Sequence, residues 1–471
     1  KAGSVFRDMP EERGTVEFLR FQQEVMVDAI ERFARIIKQR TADNPKPVFV
    51  FYGYTFEIAG VPGGPQVTGH LALRRLLECP DVDVLCSPIS YLDRGNAGLG
   101  AFMAPVDSAH LHRKTWLFED DTRTYLSDPA DPFGRVETLE QTVWVHRRNF
   151  ANCLVRNSGI WWMDLYGAGW LKDARIWEHI GELRAARTKL KPIRERYQPD
   201  ICLIVDEESL FYLSYGNTLT RPLLSELRRE ILRIGAPVSV YLLSDFVSGG
   251  APPARLYLFL NAFAVDSEST QRVHERLGKN HATAVWFYAP GYLWEGIPNV
   301  DGMARLTGIP IALLEEPLPA RVEPTDRDIP DPVGCPAVLS PSFTIRDTSG
   351  LSILARYSDT DLPAVATIDR EDWTSVYSAV PYLSAPFLRY IARKAGVHIY
   401  SDGGDVVAAN SSFLSIAAGK GGKRRIVLPV PAQVECLLGD GPAVSGMVTS
   451  FEVEMKTGET RYWLVRPPTS P

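Results

Sequence analysis

The chain has 471 residues, with 57 Asp and Glu against 51 Lys and Arg, for a net charge of −6. That balance excludes nucleic acid or an anionic membrane as the main partner, and no apolar run reaches the roughly 18 residues that a membrane-spanning helix needs. Hydrophobic residues at 45% and charged residues at 23% suit a globular chain with large cores, and the length suggests about three domains. The first residues, Lys1-Ala2-Gly3-Ser4, are neither an initiator Met nor a signal peptide with an apolar stretch.

Residues 17–39 read as an amphipathic helix, with Phe21, Val25, Ile30, Phe33 and Ile37 as its apolar face. A buried strand at 48–54 follows, ending near Gly53 and Glu57, and then a Gly-rich loop. Within that loop Gly60-Val61-Pro62-Gly63-Gly64 mimics a phosphate loop but lacks the Gly-Lys-Ser/Thr ending. A helix over 69–78 leads to a strand at 82–88, whose end carries Ser90, Tyr91 and Asp93. A third strand at 115–119 runs straight into Glu119, Asp120 and Asp121. After a helix over 137–156, a fourth at 159–164 carries Trp161, Trp162 and Asp164. Strands alternating with helices are the pattern of a parallel sheet. Four such units make half of an eight-stranded barrel, and polar strand ends suit a barrel's catalytic face.

A charged helical connector at 176–198 precedes a second α/β series. Its buried strands lie at 201–206, 238–243, 256–260 and 284–288, with helices near 220–234 and 267–279. The layout is flavodoxin-like and doubly wound. Eight prolines between Pro310 and Pro341 predict a loop-rich insertion. The α/β pattern resumes with a strand at 364–369 and a helix over 384–395. Short alternating runs beyond residue 401 predict a small β-sandwich. The expected division is therefore 1–175, 176–400 and 401–471. The basic run from Lys420 to Arg425 reads as a turn rather than a binding patch.

Cleavage of a glycosidic bond needs two carboxyl groups flanking the scissile bond. Glu119 is the strongest single candidate, with Arg123 placed to hold the charges of Asp120 and Asp121. Trp161 and Trp162 occupy consecutive strand positions and so face opposite ways. One suits the outer core, and the other suits the floor of a sugar site, where an aromatic ring stacks on the apolar face of the sugar. Asp164 shares the face of Trp162, and Tyr91 and Asp93 are placed to line the same mouth. Ordinary core strands with solvated acidic turns are the competing reading.

His110 and His112 alternate with Ala109 and Leu111, but no third ligand lies near them in sequence, so no metal and no cofactor is expected. The six cysteines, Cys79, Cys86, Cys153, Cys202, Cys335 and Cys436, show no C-x-x-C spacing and sit mostly in apolar surroundings. They favour a reducing, cytoplasmic setting, with secretion open if a signal peptide precedes Lys1. The second α/β unit resembles the class I glutamine amidotransferase-like fold. No cysteine stands at a strand-to-helix elbow there, which leaves that unit a role in assembly or scaffolding.

Taken together, the Phe118-Glu119-Asp120-Asp121-Thr122-Arg123 run and the segment from Gly159 to Gly169 resemble the β-galactosidases of glycoside hydrolase family 42. The resemblance implies strands five to eight of a (β/α)8 barrel, an amidotransferase-like trimerisation domain and a small β-domain. It also implies a carbohydrate substrate, a homotrimer, and Glu119 as the nucleophile of a retaining mechanism. The family's acid/base is a Glu, usually after Asn, on the fourth barrel strand. That strand would lie upstream of Lys1, and the chain contains no Asn-Glu pair. Glu57 is the only substitute the sequence offers. The chain is therefore expected to be a fragment without turnover of its own; a non-catalytic carbohydrate-binding or scaffolding protein is the alternative.

Overall fold

A computed structural model describes residues 4–61, 63–190, 197–329, 333–439, 441 and 444–468. The chain opens with helix α1 (Arg13–Arg40), followed by strand β1 (Phe49–Phe51), helix α2 (Leu73–Glu78), strand β2 (Val84–Pro88), helix α3 (Val106–Leu111), strand β3 (Thr115–Asp120), helix α4 (Leu139–Arg156), strand β4 (Gly159–Trp162) and helix α5 (Ala174–Lys189). The four strands pair in parallel in the order β1-β2-β3-β4. Among the described residues β1 and β4 have no outer partner, so the sheet is an open half barrel rather than a closed one.

Register assigns its faces. Phe49 pairs with Val84, Phe51 with Cys86, Cys86 with Leu117, and Glu119 with Trp161. These residues share one face, because side chains alternate along a strand and register partners lie on the same side. Trp116, Phe118, Asp120 and Trp162 occupy the other, which is covered by helices. Trp116 and Phe118 are fully buried there, and Trp162 stacks on Phe150 of α4.

Of the expected apolar face of α1 (Phe21, Val25, Ile30, Phe33 and Ile37), Ile30 alone packs against the core. Val16, Leu19, Gln23, Val27 and Ala34 pack inward, whereas Phe21 and Phe33 are 57% and 66% exposed and Val25 and Ile37 are exposed as well. The helix carries two apolar stripes, and the sequence pattern was dominated by the larger side chains of the outer one.

The second sheet has nine strands. Its parallel part contains β5 (Ile201–Val205), β6 (Val238–Leu242), β7 (Leu256–Phe259), Thr283–Phe287 and Thr374–Ser378. Their spatial order is second, first, third, fourth, fifth, which is the flavodoxin-like winding. The strand expected at 364–369 (observed as Pro363–Asp369) runs antiparallel and pairs with the true fifth parallel strand, Thr374–Ser378. The Pro-rich stretch is also more regular than expected. Ile311–Leu313, Pro319–Pro324 and Val333–Val338 are all strands, and the last two extend the sheet in antiparallel fashion. At the far end Pro336 sits in the outermost strand, the place in a sheet where proline is tolerated.

At its other end the nine-stranded sheet is closed by the half barrel. Asp107 of α3 accepts the N–H of Val240 at 2.8 Å, and Ser108 Oγ accepts that of Leu242 at 2.9 Å. Both donors belong to β6, whose outward N–H groups are thereby satisfied. Arg156 of α4 holds Asp107 in place from Nε at 2.9 Å. A further link is Glu207, just beyond β5, whose carboxylate accepts the N–H groups of Leu73 and Arg74 at 2.8 and 3.3 Å and so caps α2 across the junction. Burial pushes the Glu207 carboxyl up to about 7. Arg74 and His112 also meet Asp245 there.

The C-terminal strands form one antiparallel sheet of five, not two facing sheets. The long strand Gly422–Leu438 breaks register between Val427 and Ala432, where Pro429 and Pro431 interrupt the ladder. One face encloses Leu414, Ile416, Ile426 and Trp463. The other packs Phe413, Tyr462 and Leu464 on Phe150, Leu154 and Leu183 of α4 and α5. The basic run is indeed part of a turn and strand start, with Arg424 paired to the buried Asp405 at 3.0 Å.

Candidate active site

The loops after β1 to β4 meet at the C-terminal end of the half barrel. Three consecutive acids close β3, and their surroundings separate their roles. Asp120 points to the helix-covered face, where its oxygens accept from Thr122 N at 3.2 Å and Asn149 Nδ2 at 3.1 Å. Asp121 is buried between two guanidinium groups, Arg94 Nη1 and Arg123 Nη1, each at 2.5 Å. Glu119 lies on the open face at 6% exposure, and among the described residues its carboxylate accepts no hydrogen bond. Burial, then the negative charge of Asp121, push its carboxyl up to about 7, against the pull of Arg94 and Arg123.

Around Glu119 the chain places a wall of rings. Trp161, its register partner on β4, is 37% exposed. Tyr91 spreads its ring over Arg94 at 4.4 Å and Arg123 at 5.6 Å, and burial raises its phenol to about 12. Tyr54 stacks on His70 at 4.6 Å, and its phenol is raised by burial and, in smaller part, by the charges of Glu119 and Asp121. The buried Cys86 thiol is raised to about 11 by burial, with Trp161 and Glu119 among its neighbours. His70 accepts the N–H of Gly53 at Nδ1, 3.2 Å away, and burial lowers its pKa. Tyr54, His70 and Arg94 were not singled out in the sequence, and Cys86 was read only as one of six thiols. Only their position at or beyond strand ends could have marked them.

The remaining expected residues are placed differently. Trp162 belongs to the helix-covered core, with Phe150 and His146 as ring neighbours. Asp164 turns back on its own loop, both oxygens accepting the N–H of Gly169 at 3.1 and 2.9 Å. Asp93 forms ion pairs with Arg229 and Arg233 of the second α/β unit at 3.3 and 3.6 Å. Glu57 accepts from Ser90 Oγ at 2.6 Å and from Tyr91 N at 3.1 Å, so each oxygen braces the loop after β2. His112 bonds Asp245 and His110 contacts Ser158 Oγ at 3.3 Å. Cys202 lies inside β5, fully buried, where its pKa is pushed up. The open face therefore gathers Glu119, Trp161, Tyr91 and Tyr54, while Trp162, Asp164, Asp93 and Glu57 serve packing, turns and joints.

No family model matches the sequence, and no curated protein matches it. Solved structures do. The cold-adapted β-galactosidase of Rahnella sp. R3 matches with a TM-score of 0.64 at 15% identity, over 96% of this chain and 68% of that one. Gan42B, a family 42 β-galactosidase from G. stearothermophilus, gives 0.64 at 12% identity over the same shares. The β-galactosidase of Bacillus circulans sp. alkalophilus gives 0.63 at 13%, again over 96% and 68%. Across nearly its whole length, the chain is thus similar in fold to the β-galactosidases of glycoside hydrolase family 42.

Proposed function

We propose that Glu119 is the nucleophile of a retaining glycoside hydrolase site for β-galactoside-like sugars, and that its acid/base partner comes from outside the described residues. One observation carries the reading. Of three adjacent acids, Glu119 alone keeps its carboxylate uncommitted, on the open face and beside an accessible Trp. In the first step a Glu119 oxygen attacks the anomeric carbon as the bond to the leaving oxygen breaks, giving a covalent glycosyl-enzyme. Arg94 and Arg123, pinned by Asp121, supply the positive field that keeps part of Glu119 ionised. Trp161 offers the floor on which the sugar ring stacks. Release of an ordinary alcohol needs a proton, and Glu57 is a poor donor because both its oxygens are already bonded. The chain is read as part of a longer protein, with its barrel half at 1–175, a flavodoxin-like unit at 176–400 and a β-domain at 401–471. The trimer implied by the resemblance is kept as a proposal for sedimentation analysis.

The test uses a leaving group that needs no proton. A 2,4-dinitrophenyl 2-deoxy-2-fluoro-β-galactoside departs as the phenolate, so a competent nucleophile is glycosylated without an acid partner. Intact mass and peptide mapping should place one sugar on Glu119, with none on Glu119→Gln. Ordinary alkyl galactosides should not turn over. The second reading, a sugar-binding surface without catalysis, is favoured by the commitment of Glu57. Reversible binding of galactosides with no covalent label would select it.

A further inference from the structure

Beyond β4 the chain makes a short arch whose two ends are fixed beside Glu119. Met163 N donates to Asp120 O at 3.0 Å, and the Trp170 carbonyl accepts from Thr124 Oγ1. The Trp170 ring lies 4.5 Å from the Arg123 guanidinium. Between these anchors Asp164 clamps Gly169, and Gly167 N bonds back to Asp164 O at 3.1 Å. The arch is therefore built rather than slack. At its crest Tyr166 has φ +62° and ψ +9°, the left-handed region, followed by Gly167 and Gly169 at φ +64° and +87°. A bulky residue in that region is strained, as Gly would not be. The ring is 93% exposed and makes no ring contact or hydrogen bond among the described residues. It thus contributes neither packing nor capping to offset the strain.

Three residues of chain span at most about 11 Å, so the crest stays close to the Glu119 mouth. Trp161 is level with Glu119 in register, where the attacked sugar would lie; Tyr166 follows the C-terminal end of β4 by four residues, on the mouth side that the departing group would face. We propose that Tyr166 is a stacking platform for the leaving-group side of the substrate, a second sugar ring or an aryl group. The assignment rests on the reading of Glu119 as nucleophile. The apolar face of a sugar or an aryl ring covers a tyrosine ring well, and the rigid arch presents that ring without ordering cost at binding.

Two reagents with the same 2-deoxy-2-fluoro sugar separate the two claims. One leaves as 2,4-dinitrophenolate, which offers a ring to stack; the other leaves as fluoride, which offers none. The measurement is the ratio of the two labelling rates on Glu119, taken within one protein sample so that incomplete folding cancels. In Tyr166→Ala and Tyr166→Gly the ratio should fall roughly five- to tenfold, the worth of one aromatic contact. Tyr166→Phe keeps the ring and should keep the wild-type ratio. Tyr166→Gly should also melt no lower than wild type, since it relieves the backbone. An unchanged ratio in Tyr166→Ala, with Glu119 still labelled, overturns the platform alone. No label on Glu119 from either reagent in the wild type overturns the nucleophile and the platform together.

Discussion

At the scale of single residues, environment divides the work among three adjacent carboxylates. Glu119 is raised to about 7 by burial first and by Asp121 second, so it is largely protonated at pH 5 and ionised at pH 8. Attack requires the carboxylate. Labelling by the dinitrophenyl reagent should therefore rise with pH through about 7 and then level off. The same group affects stability with a definite sign. Its folded pKa lies above its unfolded value, so the unfolded chain ionises first as pH rises from about 4.5 to 7, and the fold loses stability across that window. Glu119→Gln removes this loss. Measured by denaturant unfolding, its stability relative to wild type should be higher at pH 8 than at pH 5, by on the order of 2 kcal/mol. Arg94→Met, by contrast, leaves Asp121 buried with one partner fewer and should cost about 3–5 kcal/mol by denaturant unfolding. Glu119 was legible in the sequence because an apolar run ends on it. The period-two alternation showed that Trp161 and Trp162 diverge, but not which one faces the site. Asp93 and Glu57 were misleading because their partners, Arg229, Arg233, Ser90 and the Tyr91 N–H, become neighbours only on folding.

Among the elements, α1 shows why a hydrophobic stripe marks a helix more reliably than it marks the buried side. Small and medium side chains, Val16, Leu19, Val27 and Ala34, face the core, and Phe21 and Phe33 do not. Val27→Ala should cost about 1–2 kcal/mol in denaturant unfolding, whereas Phe33→Glu should change stability by less than about 0.5 kcal/mol. The reverse ranking would mean that α1 packs the other way round. The parallel strands of the nine-stranded sheet that read as short apolar runs have both faces buried. Thr374–Ser378 escaped because three of its five residues, Thr374, Ser375 and Ser378, carry hydroxyls and break the apolar run. The Pro-rich strands escaped because proline argues against central strands and says little about edges. The capping of α2 by Glu207 joins positions over 130 residues apart, beyond the reach of any local pattern. Glu207→Ala should lower stability by about 1–2 kcal/mol.

For the molecule as a whole, the four-stranded sheet presents Phe49, Phe51 and Trp161 to solvent on its open face, and α1 adds the outer stripe of Phe18, Phe21 and Phe33. Exposed aromatic residues on each of these faces are unusual for a chain that works alone. The folded chain should bind an environment-sensitive hydrophobic dye below its melting temperature, and Phe21→Glu with Phe33→Glu should weaken that binding. The match to the solved neighbours covers 68% of their length.

The two α/β sheets differ in one further respect. In the nine-stranded sheet Asp107 and Ser108 occupy the outer N–H groups of β6, and Pro336 interrupts the outermost strand at the opposite margin. Neither margin is a ready template for another strand, so this sheet resists lateral polymerisation. Among the described residues the half barrel has no such guard on β1 or β4. Of the two α/β sheets, the one that carries Glu119 is therefore the one whose margins favour strand-to-strand joining, whether productive assembly or runaway aggregation.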